Sequence, residues 1–377
     1  MPPDLDVEDT GQLEEDKRLT RVGIVFQEKN QPHNLDPNVQ KDESKKIKVE
    51  ILKIINNNCS ESYTPGTQKL KCKVLQVPSI APSNEDQQTP VVGDVIFIKV
   101  FDAMFFPRII SAIDMHFKVT ARADMALSNE VGAYAFLYKQ GLTGAPHIAP
   151  QWLGCWTAEV QSSSPEYQGR TRYVGVVALE FIDGICLQKL WVRNELDKQV
   201  YVGDIPRVDD DIETLLQVDE ATRLGTMEDL LADIVKQYKV GVTHYHIRPE
   251  NVIVSFRRGS QELARPRVSL VGYKDSVVGP LREPPRNKFA RYPNPIHPYW
   301  RFNYERLESF FDCHWLPVHW KTGDSASCPK LDKWMLEMFG PFDGDKYSSY
   351  IFKPSVPNVT QPIDKSTVEE TSSSGIA

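Results

Sequence analysis

The chain has 377 residues, of which 41% are hydrophobic and 25% are charged, and its formal net charge is −7. This composition is typical of a globular protein that folds around a core of its own without disulfides. The acidic balance argues against a nucleic-acid-binding protein, because such proteins need a basic surface that neutralises phosphates.

The two ends of the chain differ in composition from its middle. Residues 1–45 are polar and acidic, and residues 356–377 are rich in serine and threonine. We therefore expect both ends to be disordered and residues 46–350 to form the folded unit. The first residues lack the apolar segment of a signal peptide, and no run of about 18 apolar residues is present. We expect a soluble protein in the cytoplasm or nucleus that does not contact a membrane.

The first half of the folded unit has strand character. Three β-branched runs with partial alternation predict neighbouring antiparallel strands, at residues 47–55, 70–77 and 95–101. The hydrophobic period then changes to that of a helix over 125–141, with Ser128 or Asn129 as its N-cap and Gly141 at its end.

The second half combines strands with helices. An apolar run at 174–184 ends in Asp-Gly and predicts a buried strand that enters a turn. A helix is predicted over 226–240, with Gly241 just past its end. Two short strands joined by a polar turn follow, at residues 251–256 and 267–273. Two more helices are predicted at 304–311 and 331–339. Strands early in the chain and helices late predict the α+β class.

Two groups of side chains carry metal-binding atoms, but neither predicts a metal site. The acidic triplet at 209–211 precedes an apolar stretch, where carboxylates favour the start of a helix. Four cysteines and histidines near the C-terminal end match no zinc spacing, at Cys313, His314, His319 and Cys328.

The segment HYHIRPENVIV, residues 244–254, is close to the protein kinase pattern H-x-D-[IL]-[KR]-P-E-N, with His246 in place of the aspartate. Upstream are Lys99 in the strand VIFIKV, Glu130 in the predicted helix, and a turn with the pattern L-E-F-I-x-G. The chain therefore resembles the protein kinase-like fold over roughly 47–340, and more narrowly the diverged kinase-like proteins that are abundant in fungi.

This resemblance implies a bilobed fold. A small antiparallel-sheet N-lobe would span about 47–182, and a shortened, mainly helical C-lobe would span about 183–350. The N-lobe would supply the nucleotide contacts. Lys99 would contact the phosphates, Glu130 would pair with Lys99, and the backbone of Glu180 and Ile182, next to a gatekeeper at Leu179, would bind an adenine edge.

The resemblance also assigns roles in the C-lobe. His246 would stand at the position of the catalytic base, Arg248 would lie near the transferred phosphate, and Asn251 would give an oxygen ligand to magnesium. The metal-binding aspartate of the D-F-G motif is replaced by Gly272, and the phosphate loop between the first two strands has Gly66 as its single glycine. The aspartate of the catalytic loop, the metal-binding aspartate and the glycine loop are therefore all absent.

These losses together lead to the hypothesis of a pseudokinase. Such a protein would act as a binding or scaffold module for an unidentified protein partner, and its cleft would hold ATP weakly and without magnesium. The alternative is an active ATP-dependent phosphotransferase, in which Asp275 and Asn251 share a metal ion. A third hypothesis is a fold that is used only for docking and has an empty cleft.

Overall fold

The computed structural model describes residues 46–55, 66–79, 90–106, 119–161, 171–193, 199–201, 204–209, 212–258, 261–321, 328–342 and 344–350. Within them are four α-helices and fourteen strands, so the fold belongs to the α+β class. The predicted disordered ends and most of the segment between the first two strands lie outside the described residues. No helix in the described ranges is long and apolar enough to span a bilayer.

The helices are α1 Val119–Lys139, α2 Glu220–Val240, α3 Tyr304–Asp312 and α4 Pro329–Phe339. The first ten strands are β1 Lys48–Ile54, β2 Gln68–Gln76, β3 Val95–Phe101, β4 Trp152–Gln161, β5 Thr171–Glu180, β6 Ile185–Cys186, β7 Trp191–Arg193, β8 Gln199–Tyr201, β9 Asp204–Asp209 and β10 Ile212–Gln217. The remaining four are β11 Val242–Thr243, β12 Val252–Arg258, β13 Gln261–Leu270 and β14 Val277–Val278.

The main sheet is antiparallel throughout, in the order β1-β2-β3-β5-β4. The three predicted neighbouring strands are confirmed. The strand predicted in the apolar run at 174–184 is also confirmed and corresponds to β5. Strand β4 was not predicted. Gly154 has a φ of +136°, and the β4–β5 register shifts between Trp152 and Gly154. This irregularity interrupts the alternation by which a strand is recognised in a sequence.

Helix α1 is confirmed, but it begins at Val119 rather than at 125. Ser128 and Asn129 therefore lie inside the helix, and the prediction that one of them is the N-cap was wrong. The residues before them include Ala121, Ala123 and Ala126, and alanine has the highest helix propensity. The end is as predicted, because Gly141 has a φ of +67° and its N–H donates to the carbonyl of Tyr138.

Helix α2 leads the chain directly into the segment that resembles a catalytic loop. The carboxylate of Asp219 accepts the N–H of Thr222 and caps the start of the helix. Gly241 has a φ of +98°, and its N–H donates to the carbonyls of Gln237 and Tyr238. The predicted stop at Gly241 is confirmed, whereas the true start lies before 226.

The prediction of a mainly helical second half is not confirmed, because strands β6–β14 are interspersed with helices α2–α4. Of the acidic triplet at 209–211, Asp209 is the last residue of β9 and does not start a helix, while the other two residues lie outside the described ranges. Strand β9 pairs with β10, and Asp209 lies opposite Ile212. Both strands contain β-branched residues, which favour extended structure. Strands β12 and β13 also extend through most of the predicted polar turn, up to the pair Arg258 and Gln261.

The core connects α1 to both halves of the fold. Tyr134 of α1 stacks on Trp152 of β4 at 6.1 Å between ring centroids and lies 4.8 Å from Tyr273. The Tyr273 hydroxyl and the Gln237 side chain of α2 exchange buried hydrogen bonds of 2.9 and 3.1 Å. The turn after β13, which contains Tyr273, is therefore held between α1 and α2.

Candidate functional site

Lys99 and Glu130 form a buried ion pair between β3 and α1. The Nζ atom lies 2.6 and 2.5 Å from the two carboxylate oxygens, and Glu130 is completely buried. Burial removes both charges from water, so each depends on the other for compensation. The structure thus brings together the two residues that the resemblance paired, while their contact with a nucleotide stays a prediction.

A buried histidine anchors the loop that follows α2. The Nε2 atom of His244 lies 3.1 Å from the carbonyl oxygen of Val271, and its Nδ1 accepts the N–H of His246. Desolvation lowers the pKa of His244 to about 4. The ring is therefore neutral at pH 7, with the proton on Nε2, and it donates to Val271. This bond ties the loop to the end of β13.

Asn251 is held by hydrogen bonds to its own loop and to Val271, and its side chain lies next to Gly272, which the resemblance aligns with the metal-binding aspartate. Its side-chain Nδ2 donates to the backbone carbonyl of His246 at 2.9 Å. The backbone carbonyl of Asn251 accepts the N–H of Val271. Gly272 has a φ of +86°, and a Cβ at this position would lie 2.9 Å from Oδ1 of Asn251. An aspartate at 272 would therefore displace the Asn251 side chain, and the observed arrangement requires glycine.

Asp275 lies beside His246 in the short 3-10 turn after Gly272. Its Oδ2 is 3.5 Å from Nε2 of His246 and 3.9 Å from Nζ of Lys274. The side chains of His246 and Asp275 are 44% and 46% exposed, so water screens this pair. Arg248 is 60% exposed and lies 3.9 Å from Glu250.

The side chains near Asn251 do not fit a magnesium site of the kinase type. Gly272, which the resemblance aligns with the metal-binding aspartate, has no side-chain donor. Asn251 and Asp275 both carry oxygen donors, but the Asp275 carboxylate faces His246 and Lys274. In the described part of the chain, no three His, Cys, Asp or Glu side chains are grouped so that they could hold a metal.

The connection after β5 is where the resemblance expects an adenine. Glu180 donates its backbone N–H to the carbonyl of Gln151, and its carboxylate accepts two bonds from Arg267, at 2.5 and 2.9 Å. Its N–H is therefore used within the protein. Ile182 is half-buried in the connection, and Leu179 is buried in the core.

Lys69 on β2 is a site residue that the sequence analysis missed. It lies directly opposite Lys99 in the β2–β3 register, so both side chains are on the same face of the sheet. Burial lowers its pKa to about 8, with a further contribution from Lys99. The signal was present in QKLKCKV, where lysines alternate with Leu70, Cys72 and Val74. The odd-numbered lysines of β2 are on the same face of the sheet as Lys99. The even-numbered residues Leu70, Cys72 and Val74 lie on the opposite face.

No model of a known protein family matches this chain, and no curated protein does so either.

Glu130→Ala is expected to lower the free energy of unfolding by about 3–5 kcal/mol, because it leaves Lys99 buried without a counter-charge. The double variant Lys99→Met/Glu130→Leu removes both charges and should cost less than Glu130→Ala alone. Urea denaturation measures both values. Glu337→Ala, which breaks an exposed pair with Lys333 on α4, is the control and should change stability by about 0.5 kcal/mol or less. A loss below about 1 kcal/mol for Glu130→Ala would contradict this account.

The low pKa of His244 predicts a loss of stability in acid. An unfolded histidine binds its proton near pH 6.5, whereas His244 in the folded protein does so near pH 4. Its contribution is therefore fully present above pH 6.5 and is lost as the pH falls towards 4, by about 3 kcal/mol in all. Urea denaturation between pH 7 and pH 4 should show a flatter profile for His244→Gln than for the unmodified protein. The exposed His319, changed to Gln, is the control. Parallel profiles for all three proteins would refute the prediction.

Proposed function

We propose that this chain is a degenerate protein kinase-like protein, a pseudokinase that acts as a binding or scaffold module. The sheet β1–β5 with α1 corresponds to a small lobe, and α2 with the segments after it corresponds to a second lobe. The cleft between them holds a nucleotide weakly and without magnesium. The observation that carries this proposal is the buried Lys99–Glu130 pair together with a glycine at 272.

The buried pair supports a ligand-binding role. Replacing a buried ion pair with apolar residues of similar volume is often neutral or stabilising, so such a pair is weak support for a purely structural role. A lysine held in one orientation by a carboxylate is suited to bind a phosphate. The same geometry, with Glu130 in α1 and Lys99 in β3, is what the kinase resemblance implies.

The region around Gly272 supports the absence of phosphoryl transfer. Transfer requires that magnesium and cationic side chains neutralise the charge on the phosphates. Gly272 offers no carboxylate, and a side chain at this position would have to displace Oδ1 of Asn251. His246, at the position of the catalytic base, faces Asp275 across 3.5 Å.

A thermal-shift titration with ATP, in magnesium and in EDTA, tests the proposal. ATP should raise the melting temperature equally in both, because a ligand stabilises the state that it binds, by about 2.7 kcal/mol at a hundredfold excess over Kd. No transfer of the γ-phosphate should be detectable. Lys99→Met/Glu130→Leu is the control and should lose the shift. A shift that requires magnesium would refute a metal-independent cleft, and no shift at all would leave a docking module with an empty cleft.

One observation favours the second candidate function, an ATP-dependent phosphotransferase. Asp275 lies next to His246, and the backbone carbonyl of His246 binds the Asn251 side chain. If the Asp275 carboxylate turned away from His246, it would become available to share a metal ion with Asn251. If this is the function, magnesium-dependent ATP turnover will be measurable and Asp275→Ala will abolish it, while Glu250→Ala on the same loop will not. The absence of turnover in the unmodified protein would eliminate this candidate.

A further inference from the structure

The strand register places two lysines side by side where a single one was expected. Lys69 of β2 is directly opposite Lys99 of β3. Opposed residues of an antiparallel pair have Cβ atoms about 5 Å apart, and like charges at this spacing destabilise the sheet. Lys69 is half-buried, so water screens this repulsion less than it would at an open surface.

The charges around Lys69 compensate it only in part, because its pKa is lowered by burial and by Lys99 more than Glu130 and Cys186 raise it. The titratable groups that influence its pKa from the packed elements are Lys99 of β3, Glu130 of α1, Cys186 of β6 and Lys274 of the turn after β13. Glu130 has both of its carboxylate oxygens within 2.6 Å of Lys99. The Cys186 thiol donates to the carbonyls of Pro249 and Glu250. No carboxylate within the described ranges forms an ion pair with Lys69.

Among the described residues, Lys69 is therefore a cation without an ion-pair partner next to the Lys99–Glu130 pair. An apolar residue at 69 would avoid both the desolvation and the repulsion, so stability does not account for a lysine here. Lys71, two residues further along β2, is on the same face, with its Nζ 4.4 Å from the ring of Phe181 in the connection after β5. The basic face thus extends from Lys99 to the region where an adenine is expected.

We propose that Lys69 and Lys99 form an anion site that binds the polyphosphate of a nucleoside triphosphate, with Lys69 supplying positive charge that a metal ion supplies in a kinase. This inference rests on the proposed nucleotide-binding function and adds the means by which the cleft dispenses with magnesium. Lys99 is held in place by Glu130, and Lys69 brings the charge that Glu130 does not cancel.

The titration of Lys69 gives the site a pH dependence. Its pKa in the free protein is about 8, and an adjacent phosphate raises it because the anion stabilises the charged amine. Affinity is therefore constant below about pH 8 and falls above it, where the free protein must take up a proton to bind. Lys69→Arg keeps its charge throughout this range and removes the fall.

Isothermal titration calorimetry in EDTA, with ATP and with inorganic tripolyphosphate, tests the anion site in the full-length protein. We expect Lys69→Met to weaken both ligands about tenfold or more, as is typical for the loss of a charged hydrogen bond. Lys69→Arg should bind with a flat profile from pH 7 to 9. Lys73→Met changes an exposed lysine on the same face of β2 and should bind like the unmodified protein. Without ligand, the Lys69→Met protein should melt about 2 °C or more above the unmodified protein. This result would show that the variant folds and that the charge of Lys69 was unfavourable for stability.

Each outcome decides a separate question. If ATP binds in EDTA and Lys69→Met binds it equally well, the inference is wrong and the proposed function stands. If tripolyphosphate binds through Lys69 but ATP binds no tighter, the anion site is supported and nucleotide recognition is refuted. If neither ligand binds the unmodified protein, both proposals fail.

Discussion

Lys99 and Glu130 are 31 residues apart in the chain and meet at 2.5 Å in the interior. Because each charge would be costly if it were left alone in the core, the pair fixes the position of α1 against the sheet. Tyr134, one turn further along α1, then stacks on Trp152 and contacts Tyr273. Through Tyr273 the turn after β13 is held next to the loop that contains His244. The ion pair and the loop are thus parts of one packed arrangement, although they belong to different elements.

The glycine at 272 allows this arrangement to form and also limits its chemistry. Its positive φ turns the chain sharply after β13, and the absence of a Cβ leaves space for the amide of Asn251. The same absence removes the carboxylate that would hold a metal ion in a kinase. Asp275, in the turn that follows, faces the His246 ring and Lys274 instead. The loop keeps its shape through His244 and Asn251, and neither of these interactions requires a metal or a substrate.

Features that depend on residues close together in the chain could be predicted from the sequence. Features that depend on the pairing of strands could not. Gly141 and Gly241 end their helices by a local backbone requirement, so their positions were predictable. The bulge at Gly154 concealed β4, and the alanines before Ser128 extended α1 beyond its amphipathic part. The importance of Lys69 arises from its register with Lys99, which no local pattern contains. The resemblance to kinases suggested the Lys99–Glu130 pair, but periodicity alone would not have done so.

The two lysines differ in what they are able to offer a ligand. Glu130 compensates the charge of Lys99 and so makes its burial tolerable, but the same carboxylate weakens the attraction of Lys99 for an anion. Lys69 has no ion-pair partner in the described part of the chain, and burial, with a further contribution from Lys99, lowers its pKa. The chain as a whole carries a net charge of −7, so its overall field does not attract a polyphosphate. If the proposed site binds a polyphosphate, the attraction must therefore act over a few ångströms, and among the described residues Lys69 is next to Lys99 and has no ion-pair partner.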